Sequence, residues 1–340
     1  MTMKTVILAA GFGSRLWPLS TSEKPKQFQQ LINGTSLLKY TYTQLQKTIP
    51  TDELYVLILE GMQELVSQEL PSIDSHNVIV VPERRSTLPH TLWALSKIVG
   101  SETESVLFKS VDHFILDEEA FIASLSQVIN DHHDSTRLTL LCTKYATFNS
   151  NDGYCVADRT GEVVQFLEKP SEETLNKIRT DYDIYRSPMI YITSKNTMRD
   201  ALEELSDEWL PSARALLDSG TKSPEQDFLN LPFLDISNAV FQRSHKLQLA
   251  VIDYQFIDVG RFQEIYGINP KDANGNVIIG KAIIDGACRD NLIINRTSSP
   301  IVIISKSESV IVQTLEGSLV SSFTEAHKIG DIYKQQIHQA

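Results

Sequence analysis

The sequence predicts an α/β protein: a doubly wound, mostly parallel sheet followed by a small β-rich, β-helix-like tail. Three observations carry this reading. Short apolar runs alternate with helical patterns through about residue 145, which is the rhythm of strand–helix–strand units. A turn containing Gly11 and Gly13 follows the first run at once. After Asn274-Gly275 the texture changes to β-branched triplets separated by Gly, Asn, Asp and Ser, with no room for helices.

In chain order, Val6, Ile7 and Leu8 form an uninterrupted apolar run, which suits a strand over 5–10 buried on both faces. Residues 54–59, 77–81, 106–109 and 138–142 are the next candidate strands. Between them Leu38, Tyr42, Leu45 and Ile49 recur at helical spacing. So do Leu92, Leu95 and Val99, with Pro89 placed for the first turn of that helix. A hairpin is expected next, with strands 154–157 and 163–167 about a turn at Thr160-Gly161. Ser171 reads as the N-cap of the following helix, and Thr174 is too weak for a full capping box. A strand at 189–193, helices to about Asp218 and a strand at 249–253 complete the expected domain, 1–270. The triplets at 277–279, 282–284, 292–294, 301–304 and 310–312 predict the tail, 275–340.

Composition bounds the function. The 340 residues are 41% hydrophobic, which is ample for a core and argues against disorder. A net charge of -12 would repel a nucleic-acid backbone, so no nucleic-acid partner is expected. No apolar run approaches the ~18 residues of a membrane span. Cys142, Cys155 and Cys288 are odd in number and lack metal-site spacing, so buried, reduced thiols are expected. The first residues lead directly into a strand without a signal-peptide pattern, and a cytoplasmic protein is expected. Arg15, Lys24, Lys26, Arg84, Arg85 and Lys169 gather in loops, which favours a small phosphorylated ligand.

The stretch from Thr5 to Phe28 is the most informative. Gly11 and Gly13 let the backbone turn tightly and offer bare N–H groups to a phosphate. Arg15 adds a permanent, forked positive charge, while Pro18 and Pro25 keep the loop from becoming helical and stiffen the approach of Lys24 and Lys26. The bland alternative is a tight turn with a surface arginine. A dinucleotide loop is excluded because Leu16 stands where its third glycine belongs, and nothing fits a Walker loop.

With Pro18 and Pro25-Lys26 included, this stretch resembles the signature of sugar nucleotidyltransferases, G-x-G-x-R-x-x-P…P-K. Arg15-Leu-Trp-Pro-Leu-Ser20 and Pro25-Lys-Gln-Phe28 resemble, more narrowly, the mannose-1-phosphate guanylyltransferases. The resemblance implies a Rossmann-like nucleotidyltransferase domain. It makes Arg15 and Lys26 catalytic and puts Ala10, Gly11, Gly13 and Ser14 against the nucleotide.

Other motifs join it. Asp112 in Ser110-Val-Asp-His-Phe-Ile115 follows a strand, where a carboxylate points into the crevice; a turn or cap aspartate is the competing account. It matches half of the family's Pro-Ala-Asp-His, and His113 is read as structural. Phe256-Ile-Asp-Val-Gly260 resembles Trp-x-Asp-Val-Gly, which makes Asp258 the second metal ligand and Mg2+ the cofactor. Glu168 and Lys169 resemble the family's Glu-Lys-Pro element and would bind the sugar phosphate, with Gly153, Tyr154 and Arg186 nearby. Val81-Pro-Glu-Arg-Arg-Ser-Thr-Leu-Pro89 resembles the base-recognition loop, implying nucleotide contacts from Glu83, Arg85, Ser86 and Thr87.

The implied reaction joins GTP and a sugar 1-phosphate, giving a GDP-sugar and pyrophosphate. The family's Trp-Asn-Ser-Gly appears here as Tyr185-Arg-Ser-Pro188, and its Ile-Asp-Tyr-Ala-Val as Asp235-Ile-Ser-Asn-Ala-Val240. These departures leave open another hexose, a heptose or a cyclitol phosphate beside mannose, and another base. A catalytically silent, sugar-nucleotide-binding regulatory subunit is the rival from a different class. A homodimer without the isomerase domain of longer relatives is expected.

Overall fold

The computed structural model describes residues 3–335 apart from 12, 99, 133–135, 146, 219–220 and 334. Strand β1 (Lys4–Leu8) is followed by a small antiparallel pair, β2 (Gln30–Ile32) and β3 (Thr35–Ser36). Strands β4 (Leu54–Leu59), β5 (Val78–Val81) and β6 (Val106–Ser110) join β1 in the parallel order β5–β4–β1–β6. The sheet is covered on both faces, as the apolar run at β1 requires. Val6 and Ile7 are both fully buried, yet they belong to two different core clusters on opposite sides.

Helix Leu37–Leu45 starts at Ser36, whose hydroxyl accepts from Lys39 N at 3.1 Å. It stops at Leu45, so Ile49 joins the core from the turn that follows. Leu92 and Leu95 on helix Thr87–Ile98 fill the opposite core; Val99 lies outside the described residues. Strand β7 (His113–Ile115) leaves the main sheet directly after β6.

The rest of the domain carries β8 (Leu138–Lys144), β9 (Gly153–Ala157), β10 (Val163–Glu168), β11 (Asp183–Thr193), β12 (Leu247–Val251) and β13 (Phe256–Asp258). Strand β11 runs antiparallel to β6, β8 and β9, and β8 pairs with β12 in parallel. β11 begins at Asp183, six residues before the start that its apolar run at 189–193 implies. Its register shifts between Arg186 and Ile190, so Arg186-Ser-Pro188 forms a bulge beside a cavity and breaks the strand's hydrophobic alternation. Ser171 caps helix Glu172–Ile178, accepting from Thr174 N at 3.1 Å.

The tail holds β14 (Val277–Ile279), β15 (Ala282–Ile284), β16 (Leu292–Asn295), β17 (Ile301–Ile303), β18 (Ser309–Gln313) and β19 (Ser318–Ser322). β14, β16 and β18 stack in parallel, as do β15 and β17, while β19 adds an antiparallel edge. This alternation between two sheets is that of a β-helical coil. An asparagine ladder locks its corner: Asn276 Oδ1 accepts from Asn291 Nδ2 at 2.9 Å, and Asn291 Oδ1 accepts from Ser309 N at 3.1 Å.

The tail rests on the loop that follows β1. Gly317 lies so close to Trp17 that a Cβ there would meet the indole at 2.8 Å. The terminal turn Ile329–Ile332 packs against the 3-10 turn Ser14–Leu16. Among the described residues, no helix is long and apolar enough to cross a membrane.

Candidate active site

A cavity of about 340 Å³ opens beyond the carboxyl ends of β1 and β6. Leu8, Ala10 and Gly11 line it from the first strand, and Ser110, Val111 and Asp112 from the other. The signature loop forms it without a long helix: Ser14–Leu16 is one 3-10 turn, and the first α-helix begins at Leu37. Leu16 is fully buried, so the position that excluded a dinucleotide loop serves as an apolar anchor. Gly13 has φ +74°, and a Cβ there would lie 2.7 Å from Lys26 Cβ. Its lack of a side chain lets Lys26 cross the loop into the cavity.

Lys26 Nζ lies 2.6 Å from Asp112 Oδ2, and Ser110 Oγ donates to Asp112 Oδ1. Asp258 reaches the same cavity through the antiparallel pairing of β13 with β7, which sets Asp258 opposite His113. Val259 N donates to Asp112 O at 2.8 Å and fixes the two segments together. Burial alone would depress the Lys26 ammonium, but Asp112 and Asp258 outweigh it and raise its pKa. Burial likewise opposes ionisation of Asp112, yet the charge and hydrogen bond of Lys26, joined by the hydrogen bond from Ser110, hold its carboxyl far below the usual range. Asp258 is pushed up to about 7 by burial and by the charge of Asp112.

These two carboxylates are the candidate Mg2+ ligands. Asp258 Oδ1 is buried with no hydrogen-bond partner among the described residues, as expected of an oxygen shaped to receive a cation. No group of three or more His, Cys, Asp or Glu side chains converges on one point among the described residues. Two carboxylates still suit Mg2+, which completes its shell with phosphate and water. His113 stays neutral: burial and then Lys109 lower its pKa to about 3, and its ring packs 4.4 Å from Phe256.

On the side assigned to the sugar phosphate, Gly153, Glu168 and Lys169 line the cavity. A Cβ on Gly153 would strike Phe166 at 2.4 Å and Glu168 Oε2 at 3.0 Å. Lys169 Nζ pairs with Glu168 Oε1 at 3.0 Å. Tyr154 lies elsewhere. Alternation along β9 turns its ring into the interior, where it is fully buried, and its hydroxyl donates to Asn149 O at 3.0 Å. Arg186 is also outside the main cavity. Its Nε pairs with Asp152, and its guanidinium lies 3.9 Å from the centroid of the Phe256 ring. Asp152, Pro188, Met189, Asp235 and Ser237 line the wall instead.

The loop before helix Thr87–Ile98 contributes Arg84 and Ser86, and the first turn of that helix Thr87 and His90. Glu83 and Arg85 are not among the lining residues. They pair with each other at 2.8 Å, and Arg85 Nη2 donates to Leu229 O at 3.1 Å. Ser86 at φ +78° turns the chain between them and the helix, so Arg84 faces the cavity beside Phe233, 5.6 Å from its ring. The sequence signal for Arg84, two adjacent arginines, does not say which one faces inward. His90 carried no motif, and Asp235 entered only as the first residue of the segment that departs from the family's Ile-Asp-Tyr-Ala-Val element.

Arg15 lines an adjoining cavity of about 260 Å³ with Arg186, Asp258, Arg261 and Glu264. Asn151, Phe256 and Asp258 border both spaces. Gly13 and Ser14 shape the loop between them without lining either.

Residues 4–275 match the nucleotidyl transferase family model. A mannose-1-phosphate guanylyltransferase of Salmonella muenchen is 27% identical over 353 residues, spanning 97% of this chain and 73% of its own length. One from Escherichia coli is 26% identical over 332 residues, spanning 93% of this chain and 70% of its own. The crystal structure of a mannose-1-phosphate geranyltransferase from Thermus thermophilus shares the fold, with a TM-score of 0.81 at 23% identity and 100% coverage of both chains.

Proposed function

The chain belongs to the nucleotidyl transferase family, and on that premise we propose that it is a mannose-1-phosphate guanylyltransferase, making GDP-mannose and pyrophosphate from GTP and mannose 1-phosphate. One observation carries the chemistry: Lys26 stands beside Asp112 at the strand ends, with Asp258 on the same cavity and Lys169 on its sugar side.

The nucleophile is a phosphate monoester whose second pKa of about 6 leaves it mostly dianionic, so the protein need supply no general base. Its oxygen bonds to the α-phosphorus as the bond to the bridging oxygen breaks. The electron pair departs on pyrophosphate. The difficulty is electrostatic, because each like-charge pair at ~4 Å costs about 4 kcal/mol at an effective dielectric near 20. Lys26 and Lys169 bring cationic charge to the main cavity, and Arg15 to its extension. Mg2+ held by Asp112 and Asp258 would neutralise phosphate charge when bound. Arg84, Ser86 and Thr87 face the space proposed for the nucleoside.

Pyrophosphate release tests this, with each of four NTPs against a panel of sugar 1-phosphates. Release with GTP and mannose 1-phosphate is expected. No release with any pair would support the silent, binding-only reading. The bulge at Pro188 and Met189, the latter at φ +53°, reshapes the sugar wall and favours a second reading with another hexose or a cyclitol phosphate. Release with GTP but not with mannose 1-phosphate would select it. Ile283 and Val302, register partners on β15 and β17, are 56% and 60% exposed, which supports assembly as a homodimer; the mass in solution tests this.

A further inference from the structure

We propose that Asp152 reads a ring hydroxyl of the sugar phosphate, with Arg186 acting through it as a positioning residue. This rests on the nucleotidyl-transfer reading above and adds to it a residue that sets sugar specificity.

Three strand ends place Asp152. Gly153, which opens β9, is the register partner of Glu168 on β10 and of Ser187 on β11. One residue earlier, Asp152 stands between Lys169 and Pro188, and Lys169 N donates to Asp152 O at 3.1 Å. The ladder stops there. Pro188 has no N–H to offer, and Lys169 and Met189 have φ of +49° and +53°. Asp152, Lys169 and Pro188 thus come together on the wall of the main cavity.

The side chain is held from behind. Arg186 is the register partner of Tyr154, two residues from Asp152, so the two side chains are diagonal neighbours on one face. Arg186 Nε pairs with Asp152 Oδ2, and the two side chains are only 17% and 9% exposed. The guanidinium cannot swing freely, because it lies 3.9 Å from the centroid of the Phe256 ring. That ring is itself wedged between His113 at 4.4 Å and Tyr254 at 5.0 Å. Among the described residues, Asp152 Oδ1 receives no hydrogen bond.

An ion pair buried to this degree stabilises little, since taking both charges out of water offsets their attraction. Burial pushes the Asp152 carboxyl up, against the pull of Arg186 and then Lys169. What the arrangement supplies is an acceptor of fixed direction. A lone carboxylate here would repel the dianionic phosphate of the substrate. Arg186 balances that charge, as Lys169 balances the neighbouring Glu168.

An ionised carboxylate only accepts hydrogen bonds. Asp152 therefore suits a ring position that bears a free hydroxyl, and disfavours one that is deoxygenated, acylated or itself a carboxylate. The substrate class is a ring phosphate with that hydroxyl present, whether a hexose or a cyclitol.

The test compares kcat/KM for mannose 1-phosphate with that for its four monodeoxy analogues, at saturating GTP, in the parent, Asp152→Asn and Arg186→Gln. The parent should disfavour an analogue lacking a recognised hydroxyl by roughly 10- to 100-fold. In Asp152→Asn that penalty should shrink by roughly tenfold at one ring position and persist at the others, with the KM for GTP held. Arg186→Gln should relax the same position, to a smaller extent. Asparagine keeps the size of the side chain and an acceptor for Arg186 Nε, and thermal melts check that the fold is retained. Should Arg186→Gln not fold, Asp152→Asn alone decides. If the parent uses another sugar 1-phosphate, the monodeoxy analogues of that sugar take the place of those of mannose 1-phosphate. Penalties that survive intact in Asp152→Asn, or a fall in kcat/KM by one common factor for all the sugars, overturn the proposal while leaving nucleotidyl transfer standing. A parent inactive with every NTP and sugar 1-phosphate overturns both.

Discussion

Lys26 Nζ and Asp112 Oδ2 lie 2.6 Å apart at the end of β6, and the second carboxylate of the site, Asp258, responds to this pair. Asp112 is held ionised by Lys26, and its charge in turn helps push Asp258 up to about 7. The function proposed for Asp112 is thus separable from its role in folding. Asp112→Asn keeps the shape and Val259 N's bond to the main-chain oxygen but removes the charge that faces Lys26 and that would face the proposed cation. Turnover should fall by at least about 10²- to 10³-fold, with the circular dichroism spectrum retained. Unaltered activity would refute the metal role.

Gly13 and Gly11 belong to one motif but make different demands. Gly13→Ala would place a side chain at φ +74° and 2.7 Å from Lys26 Cβ, whereas nothing lies within 4 Å of a Cβ on Gly11. The first substitution should lower stability by about 1–2 kcal/mol from the left-handed backbone alone, and should also displace Lys26. The second should leave the melting temperature unchanged. Equal melting temperatures for the two variants would show that Gly13 is not required by the close approach of Lys26.

Much of this arrangement was legible in the sequence because it depends on strand ends. Asp112 follows β6, whose apolar run announces it, whereas Asp258 closes the three-residue β13 and was reached through the resemblance of Phe256-Ile-Asp-Val-Gly260. The apolar run at β1 likewise announced a sheet covered on both faces. Side-chain direction in loops was not legible. Whether Arg84 or Arg85 faces the cavity is decided by Ser86 at φ +78° and by Leu229, 144 positions away from Arg85. The pairing of β7 with β13 has the same long-range origin, and three-residue strands give too little alternation to detect. Tyr154 was placed near the sugar by its neighbour Gly153, but successive strand residues point to opposite faces.

The two neighbouring arginines should separate kinetically. Arg84 lines the cavity, so Arg84→Ala should raise the KM for the nucleotide by about tenfold with little change in melting temperature. Arg85 joins Glu83 to Leu229 O and lies outside the cavity, so Arg85→Ala should act mainly on stability, leaving Glu83 unpaired. Steady-state kinetics and thermal melts on both variants decide this. A larger KM effect at Arg85 than at Arg84 would restore the base-contact role that its motif position implied.

Stability should also fall on mild acidification through His90. Its ring is buried against Phe228, and its pKa is lowered from 6.5 to about 4, chiefly by burial, with a further push from Arg84. Between these values the unfolded chain binds a proton that the folded chain refuses. Unfolding therefore becomes easier as pH drops from about 6.5 toward 4, by a total of about 3 kcal/mol, and above pH 6.5 this group contributes no slope. His113 and other groups add slopes of their own, so the informative quantity is a difference. Denaturant unfolding of the parent and of His90→Gln at several pH values should give stability curves that diverge above pH 4 and run parallel above about pH 7. The variant, lacking the titrating ring, should have the flatter curve. Parallel curves across the whole range would show that His90 titrates alike in both states, and would place the acid sensitivity elsewhere.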